Sequence, residues 1–238
     1  MTKSILIIKG YSKTEVELTN DRKIIQLYVD FFCSNAGGAF DFDNEIFIFE
    51  EPNIETLNNL DILNSLGYLV VILIGHGGSK DGIQLFQLQE KLFVQPGQLQ
   101  FYSKKQLHII ETCRNLIDIE LDIKRINRLI PKYRYGGIDK RPLTREESLL
   151  KFNQAIENSN DGTTYLFAAS IGERAFGYLF LQLIIDFSIY VHEYFREEIV
   201  NVGYIFEQTK KQVAELTKGN QNPTRNGDVD FPFVITII

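Results

Sequence analysis

Short, nearly continuous apolar runs alternate along this chain with stretches of helical periodicity. The runs "SILIIKG" (4–10), "YLVVILIGHG" (68–77), "QLHIIETC" (106–113) and "TTYLFAAS" (163–170) are built from β-branched, leucine and aromatic residues. Such runs predict strands buried on both faces. "NEIFIFEE" (44–51) fits a fifth strand, and "FPFVITII" (231–238) a sixth that closes the chain. Between them, 19–38 carries apolar side chains at 24, 25, 28, 29, 31 and 32, with Thr19 or Asn20 as cap and a glycine pair as stop, which predicts a helix. Residues 53–66 repeat the pattern through Ile54, Leu57, Leu60 and Leu63. Thr144 and Glu147 form a capping box ahead of "SLLKFNQAI", and 174–195 reads as a long, mostly buried helix.

Strands alternating with helices require crossover connections, so the expected class is α/β: a three-layer sandwich with a mostly parallel six-stranded sheet and helices on both faces. One stretch departs from this rhythm. From 116 to 143 basic residues gather around a glycine pair and two prolines, as in an exposed excursion between elements.

Composition narrows the class. At 238 residues, one domain with one core is the default expectation. A net charge of −6 argues against nucleic acid as the main partner. The first apolar run is too short for a signal peptide, and 177–191 is interrupted by Asp186 and too short to span a bilayer, so no membrane partner is expected. Two cysteines give neither a disulfide framework nor a zinc site, and a reducing, cytoplasmic setting follows.

In an open parallel sheet, ligands collect at the carboxyl ends of the strands. Two predicted strands end in reactive side chains: 68–77 in His76 followed by Gly77 and Gly78, and 106–113 in Glu111, Thr112 and Cys113. A cysteine attacks carbonyl carbon as the thiolate, and a neighbouring histidine is the common means of holding that form. Glycines after a histidine let the backbone approach a substrate and offer N–H groups to an oxyanion. Spacing alone leaves Cys113 open between a nucleophile paired with His76 and a buried structural thiol. His108, within an apolar strand, and His192, in the long helix, read as structural or solvated, and Cys33 reads as core.

"VVILIGHGG" resembles the apolar strand ending in His-Gly of the caspases in the broad sense that includes metacaspases and prokaryotic relatives. "HIIETCRN" resembles their strand ending in Cys-Arg or Cys-His with a polar or acidic residue two before the cysteine. The His76 to Cys113 spacing is shorter than in caspases proper, as in a compact relative. "HGGSKDGIQL", "AASIGERAFGYLFLQLI" and "NQNPTRNGDVDFPF" are similar to further family segments in the family's order.

The resemblance implies a cysteine endopeptidase working through a Cys-His dyad without a third acidic member. Cys113 would be the nucleophile and His76 the proton carrier, with the backbone N–H groups of Gly77 and Cys113 as oxyanion hole. Residues 1–115 would correspond to the family's large-subunit part, 116–162 to a basic linker and helix, and 163–238 to the small-subunit part. In the family the residue two before the cysteine lines the pocket for the side chain preceding the scissile bond. Glu111 there predicts Arg or Lys specificity. Asp81 is either a second carboxylate of that pocket or simply the residue of an Asp-Gly turn; Ser170 and Glu173 are further, weaker candidates for its wall. Arg125, Arg128, Lys132, Arg134, Lys140 and Arg141 are either a solvated charged loop or self-cleavage sites. The expected partner is a protein or peptide substrate, with the long helix and terminal strand available for a homodimer or regulatory partner. No cofactor or metal is expected; the resemblance leaves activation by calcium open without placing its site, Asp41 and Asp43 being too sparse for a ligand loop. A catalytically silent caspase-like scaffold is the alternative of a different class, and a glutaminase-type amidohydrolase a third.

Overall fold

The computed structural model describes residues 2–60, 67–99, 101–113, 141, 143–173 and 175–237, and of Thr112 and Cys113 the backbone alone. The apolar runs become the strands of its central sheet: β1 (Lys3–Lys9), β2 (Ile46–Glu50), β3 (Tyr68–Lys80), β6 (Lys105–Cys113) and β7 (Gly162–Phe167). A hairpin of β4 (Ile83–Gln89) and β5 (Leu92–Val94) lies between β3 and β6 in sequence. The main sheet runs β2-β1-β3-β6-β7 with every neighbour parallel, and β9 (Thr224–Asn226) joins β7 antiparallel at the edge.

Strand alternation divides the core between the two faces of the sheet. Ile5, Ile7, Val70, Ile72, Leu107 and Ile109 meet α1 (Glu15–Cys33) and three helices from the second half of the chain. Those helices are α4 (Arg145–Asn158), α5 (Leu179–Tyr194) and α6 (Val202–Leu216). Leu6, Ile8, Leu69, Val71, Leu73 and Ile110 face the other way, under Leu57 of α3 (Ile54–Asn58) and the hairpin residues Phe86, Leu88 and Val94. The short helix α2 (Phe42–Glu45) precedes β2, with Asp41 as its N-cap accepting the N–H groups of Asp43 and Asn44. The architecture is thus α/β with a mostly parallel sheet between flanking layers.

Four expectations need correction. The sixth strand of the main sheet is β9; the terminal run forms β10 (Pro232–Ile235), which pairs antiparallel with β8 (Ile199–Asn201) in a separate two-stranded sheet. An apolar run reports burial but not its pairing partner, and Phe231 and Phe233 bury themselves against Tyr68, Phe31 and Phe32. Helix α1 starts at Thr14, whose hydroxyl accepts the Glu17 N–H, and stops at Cys33 with Ser34 as cap. The long helix begins only at Leu179, after Tyr178 in the left-handed region (φ 54°). Strand β3 runs on to Lys80 because its last residues pair with β4. Residues 61–66 of the expected 53–66 helix lie outside the described residues.

Candidate functional site

The order β2-β1-β3 reverses direction between β1 and β3, and in open α/β sheets the carboxyl edge at such a switch point is the crevice where ligands bind. The loop leaving β1 is drawn tightly over this crevice. Gly10 donates its N–H to Ile74 (2.8 Å) and Tyr11 to Gln87 (3.1 Å). A Cβ on Gly10 would lie 2.3 Å from the Gln87 carbonyl oxygen, a contact no side chain tolerates. On the facing strand Gly75 has φ of 151° and its Cα approaches Gly10 closely enough that an added Cβ would sit 3.3 Å from the Gly10 Cα. Small residues on both sides therefore set the spacing of the crevice.

His76 stands just past that corner. Its Nε2 lies 2.9 Å from Oε2 of Glu17, with the two side chains 13% and 3% exposed. Glu17 is in the first turn of α1, where Thr14 caps its N–H and its own Oε2 accepts the Lys13 N–H at 2.6 Å. Burial pushes the Glu17 carboxyl up, but the bonds from His76 and from the Lys13 N–H outweigh it and hold the group below its usual range. One turn further along α1, Asp21 accepts the Ser12 hydroxyl (2.6 Å) and the Tyr178 hydroxyl. Burial raises the Asp21 carboxyl against those two hydrogen bonds. The β1–α1 loop, α1 and the segment before α5 thus meet beside His76.

The parallel β3–β6 ladder places Cys113 opposite His76 and Glu111 opposite Ile74. Adjacent strands lie about 4.8 Å apart, so the two residues assigned to the dyad are backbone neighbours, and Gly77 follows on the same edge. Glu111 is fully buried on the face shared with Leu107 and Ile109. Burial, and behind it the Glu111 carboxylate, push the Tyr28 phenol well above its ordinary value, which places Glu111 in the layer between sheet and α1.

The other candidates are spread more widely. Asp81 and Gly82 both have positive φ (52° and 77°) and form the tip of the β3–β4 hairpin, a two-residue turn of the kind an Asp-Gly pair specifies. Asp81 is exposed there, five residues and roughly 16 Å of extended strand beyond His76. Glu173 accepts both the backbone and side-chain N–H groups of Asn222, and Ser170 donates to the Asn222 carbonyl. The pair ties the loop after β7 to the loop after α6. Arg141 is exposed and ion-paired with Glu147; Arg125, Arg128, Lys132, Arg134 and Lys140 lie outside the described residues.

Of the remaining histidines and the second cysteine, none reaches the crevice. His108 is fully buried between Tyr165 and Phe101 with Nε2 3.0 Å from Gln106, and burial lowers its imidazole to about 3. The His192 ring bonds the Ile235 carbonyl. Cys33 packs half-buried against the core, its thiol pushed up by burial. Among the described residues no group of three or more His, Cys, Asp or Glu could hold a metal ion, and no helix is long and apolar enough to cross a membrane.

Glu17 and Asp21 did not stand out in the sequence. The signal was present in "TEVE" (14–17), a capping-box spacing that marks a helix start and an inward-turning glutamate.

No protein-family model matches the chain, and no curated protein matches it. Among solved structures it is similar to the Drosophila initiator caspase Dronc, with a TM-score of 0.55 and 11% sequence identity, over 98% of this chain and 81% of that one. The fold is therefore caspase-like.

Proposed function

We propose that the protein is a cysteine endopeptidase that cleaves after Arg or Lys. The observation that carries this reading is the strand register that sets His76 against Cys113 at the carboxyl edge of a caspase-like sheet, beside the switch-point crevice. Cys113 Sγ, as thiolate, attacks the scissile carbonyl carbon, and the N–H groups of Gly77 and Cys113 receive the oxyanion. The C–N bond breaks as His76 gives its proton to the leaving amine. Water, losing a proton to His76, then hydrolyses the thioester, releasing the carboxylic acid and the thiol. Support for a basic residue before the cleaved bond comes from Glu111, two residues before Cys113 on β6, whose carboxylate favours a cation over an anion. The same chemistry applied to the chain's own basic stretch would cut it between its halves.

A fluorogenic peptide panel with Arg, Lys, Asp or Gln before the scissile bond tests this on wild type and Cys113→Ala. Hydrolysis of the Arg and Lys peptides by the wild type alone is expected, with two fragments on a denaturing gel for the wild type and one band for the variant. Equal hydrolysis by both proteins would remove Cys113 as nucleophile, activity confined to the Asp peptide would remove the basic specificity, and one intact band from a fully active wild type would remove self-cleavage.

A further inference from the structure

The carboxylate on His76 is more than a packing partner. A charged group taken 97% out of solvent is costly unless a counter-charge or strong donor faces it, and among the described residues the Glu17 carboxylate meets the Lys13 and Thr14 N–H groups and the His76 ring. Its other oxygen, Oε1, is buried with no hydrogen-bond partner among the described residues, so the carboxylate's field is not spent elsewhere. Two backbone contacts hold it there: Thr14 fixes the N–H of Glu17, and the Lys13 N–H fixes Oε2. An ionised carboxylate at 2.9 Å is acceptor only, so the ring proton resides on Nε2. That leaves the lone pair of the neutral ring on Nδ1, the state a base must have to take a thiol proton.

We propose that Glu17 is the positioning residue of His76, so that the reactive centre is a Glu–His–Cys relay in place of a dyad; this rests on the peptidase reading. Glu17 accepts the Nε2–H throughout and stays ionised. His76 Nδ1 takes the Cys113 thiol proton, the doubly protonated ring faces a buried negative charge, and that proton passes to the amine as the peptide C–N bond breaks. The role of Glu17 is to fix one tautomer and one ring orientation and to stabilise the imidazolium. Of the other acids beneath this edge, Asp21 is engaged by Ser12 and Tyr178, and Glu111 is buried opposite Ile74 in the layer between sheet and α1, so neither takes the place of Glu17.

The test compares Glu17→Gln and Glu17→Asp in a Cys33→Ala background, where Cys113 is the sole thiol. Glutamine keeps an acceptor for the Lys13 N–H, and aspartate keeps the charge, so the helix start has a partner in each. Two quantities are read: kcat and KM on the best Arg or Lys peptide, and the rate at which iodoacetamide alkylates Cys113 at neutral pH. Glu17→Gln is expected to lower kcat on the order of 100-fold with KM within about twofold, as loss of an interaction made in the transition state does. Alkylation is expected to slow by roughly tenfold as the thiolate loses its imidazolium partner. Glu17→Asp is expected to recover most of both. Unchanged kcat and alkylation in Glu17→Gln, or a Glu17→Asp as impaired as Glu17→Gln, would overturn the relay. A wild type that hydrolyses no peptide would overturn the peptidase reading instead, and the alkylation rates would still decide the relay.

Discussion

At the scale of single residues, the three histidines occupy three different environments. His76 meets a carboxylate, His192 a carbonyl, and His108 two aromatic rings and an amide. The apolar neighbours of His108 made its structural role legible, whereas Glu17 was hidden because its partner lies 59 positions away and no local pattern reports such a pairing. His108 also carries a consequence for stability. Folded, it takes a proton only near pH 3, while an unfolded imidazole does so near 6.5. Above pH 7 both states are neutral and His108 leaves stability untouched; as pH falls from about 6.5 toward 3, the unfolded chain gains a proton that the folded one refuses. Lowering the pH from 7.5 to 5 is therefore expected to destabilise the wild type by about 2 kcal/mol more than His108→Phe, read as the difference in urea midpoints. Equal losses in both proteins would show that His108 is protonated in the folded state.

At the scale of elements, one lysine settles how α4 meets the sheet. Lys105, at the start of β6 and nearly buried, donates to the carbonyls of Ile156 (2.6 Å), Glu157 (3.1 Å) and Ser159 (2.6 Å). These carbonyls form the negative dipole end of α4, which has no basic residue in its last turn; the Ile156 carbonyl also accepts the N–H and hydroxyl of the cap residue Ser159. Lys105→Met is expected to cost roughly 2 kcal/mol by leaving those acceptors without their charged donor, with Lys105→Arg recovering part. Denaturant titration of the three proteins measures it, and a methionine variant as stable as wild type would assign the cap to other donors. The capping box of α4 was legible at Thr144 and Glu147, because both partners lie within one turn. The charged donor at the end of α4 was not, because Lys105 lies about fifty positions earlier than the carbonyls it meets. The same contrast explains β10, whose burial was plain and whose pairing with β8 was not.

At the scale of the whole molecule, the two halves of the chain are interleaved. Strand β7 from the second half extends the sheet from β6 of the first, with six residue pairs in parallel register from Lys105–Gly162 to Ile110–Phe167. Phe31 and Phe32 of α1 pack on Phe233, Tyr68 packs on Phe152 and Phe231, and Arg145 donates to the Cys33, Ala39 and Phe40 carbonyls. A chain cut once between 114 and 140, through an inserted site for an added protease, is therefore expected to remain one species on size exclusion and to unfold in one transition. Separation of the fragments without denaturant would show that the shared core is too weak to hold them. The alternation of elements makes the class of fold readable in the sequence alone, since crossover connections leave few ways to lay such strands side by side. The crevice itself emerged only from strand order, which hydrophobic pattern does not contain.

Strand β3 belongs to two sheets, parallel with β1 and β6 along its first part and antiparallel with β4 from Gly77 to Lys80. His76 sits between these two allegiances, one residue past the positive φ of Gly75. The hairpin thus acts as an outrigger on the imidazole: whatever tilts β4 and β5 is delivered, through an unbroken backbone, to a ring whose far side is moored to Glu17.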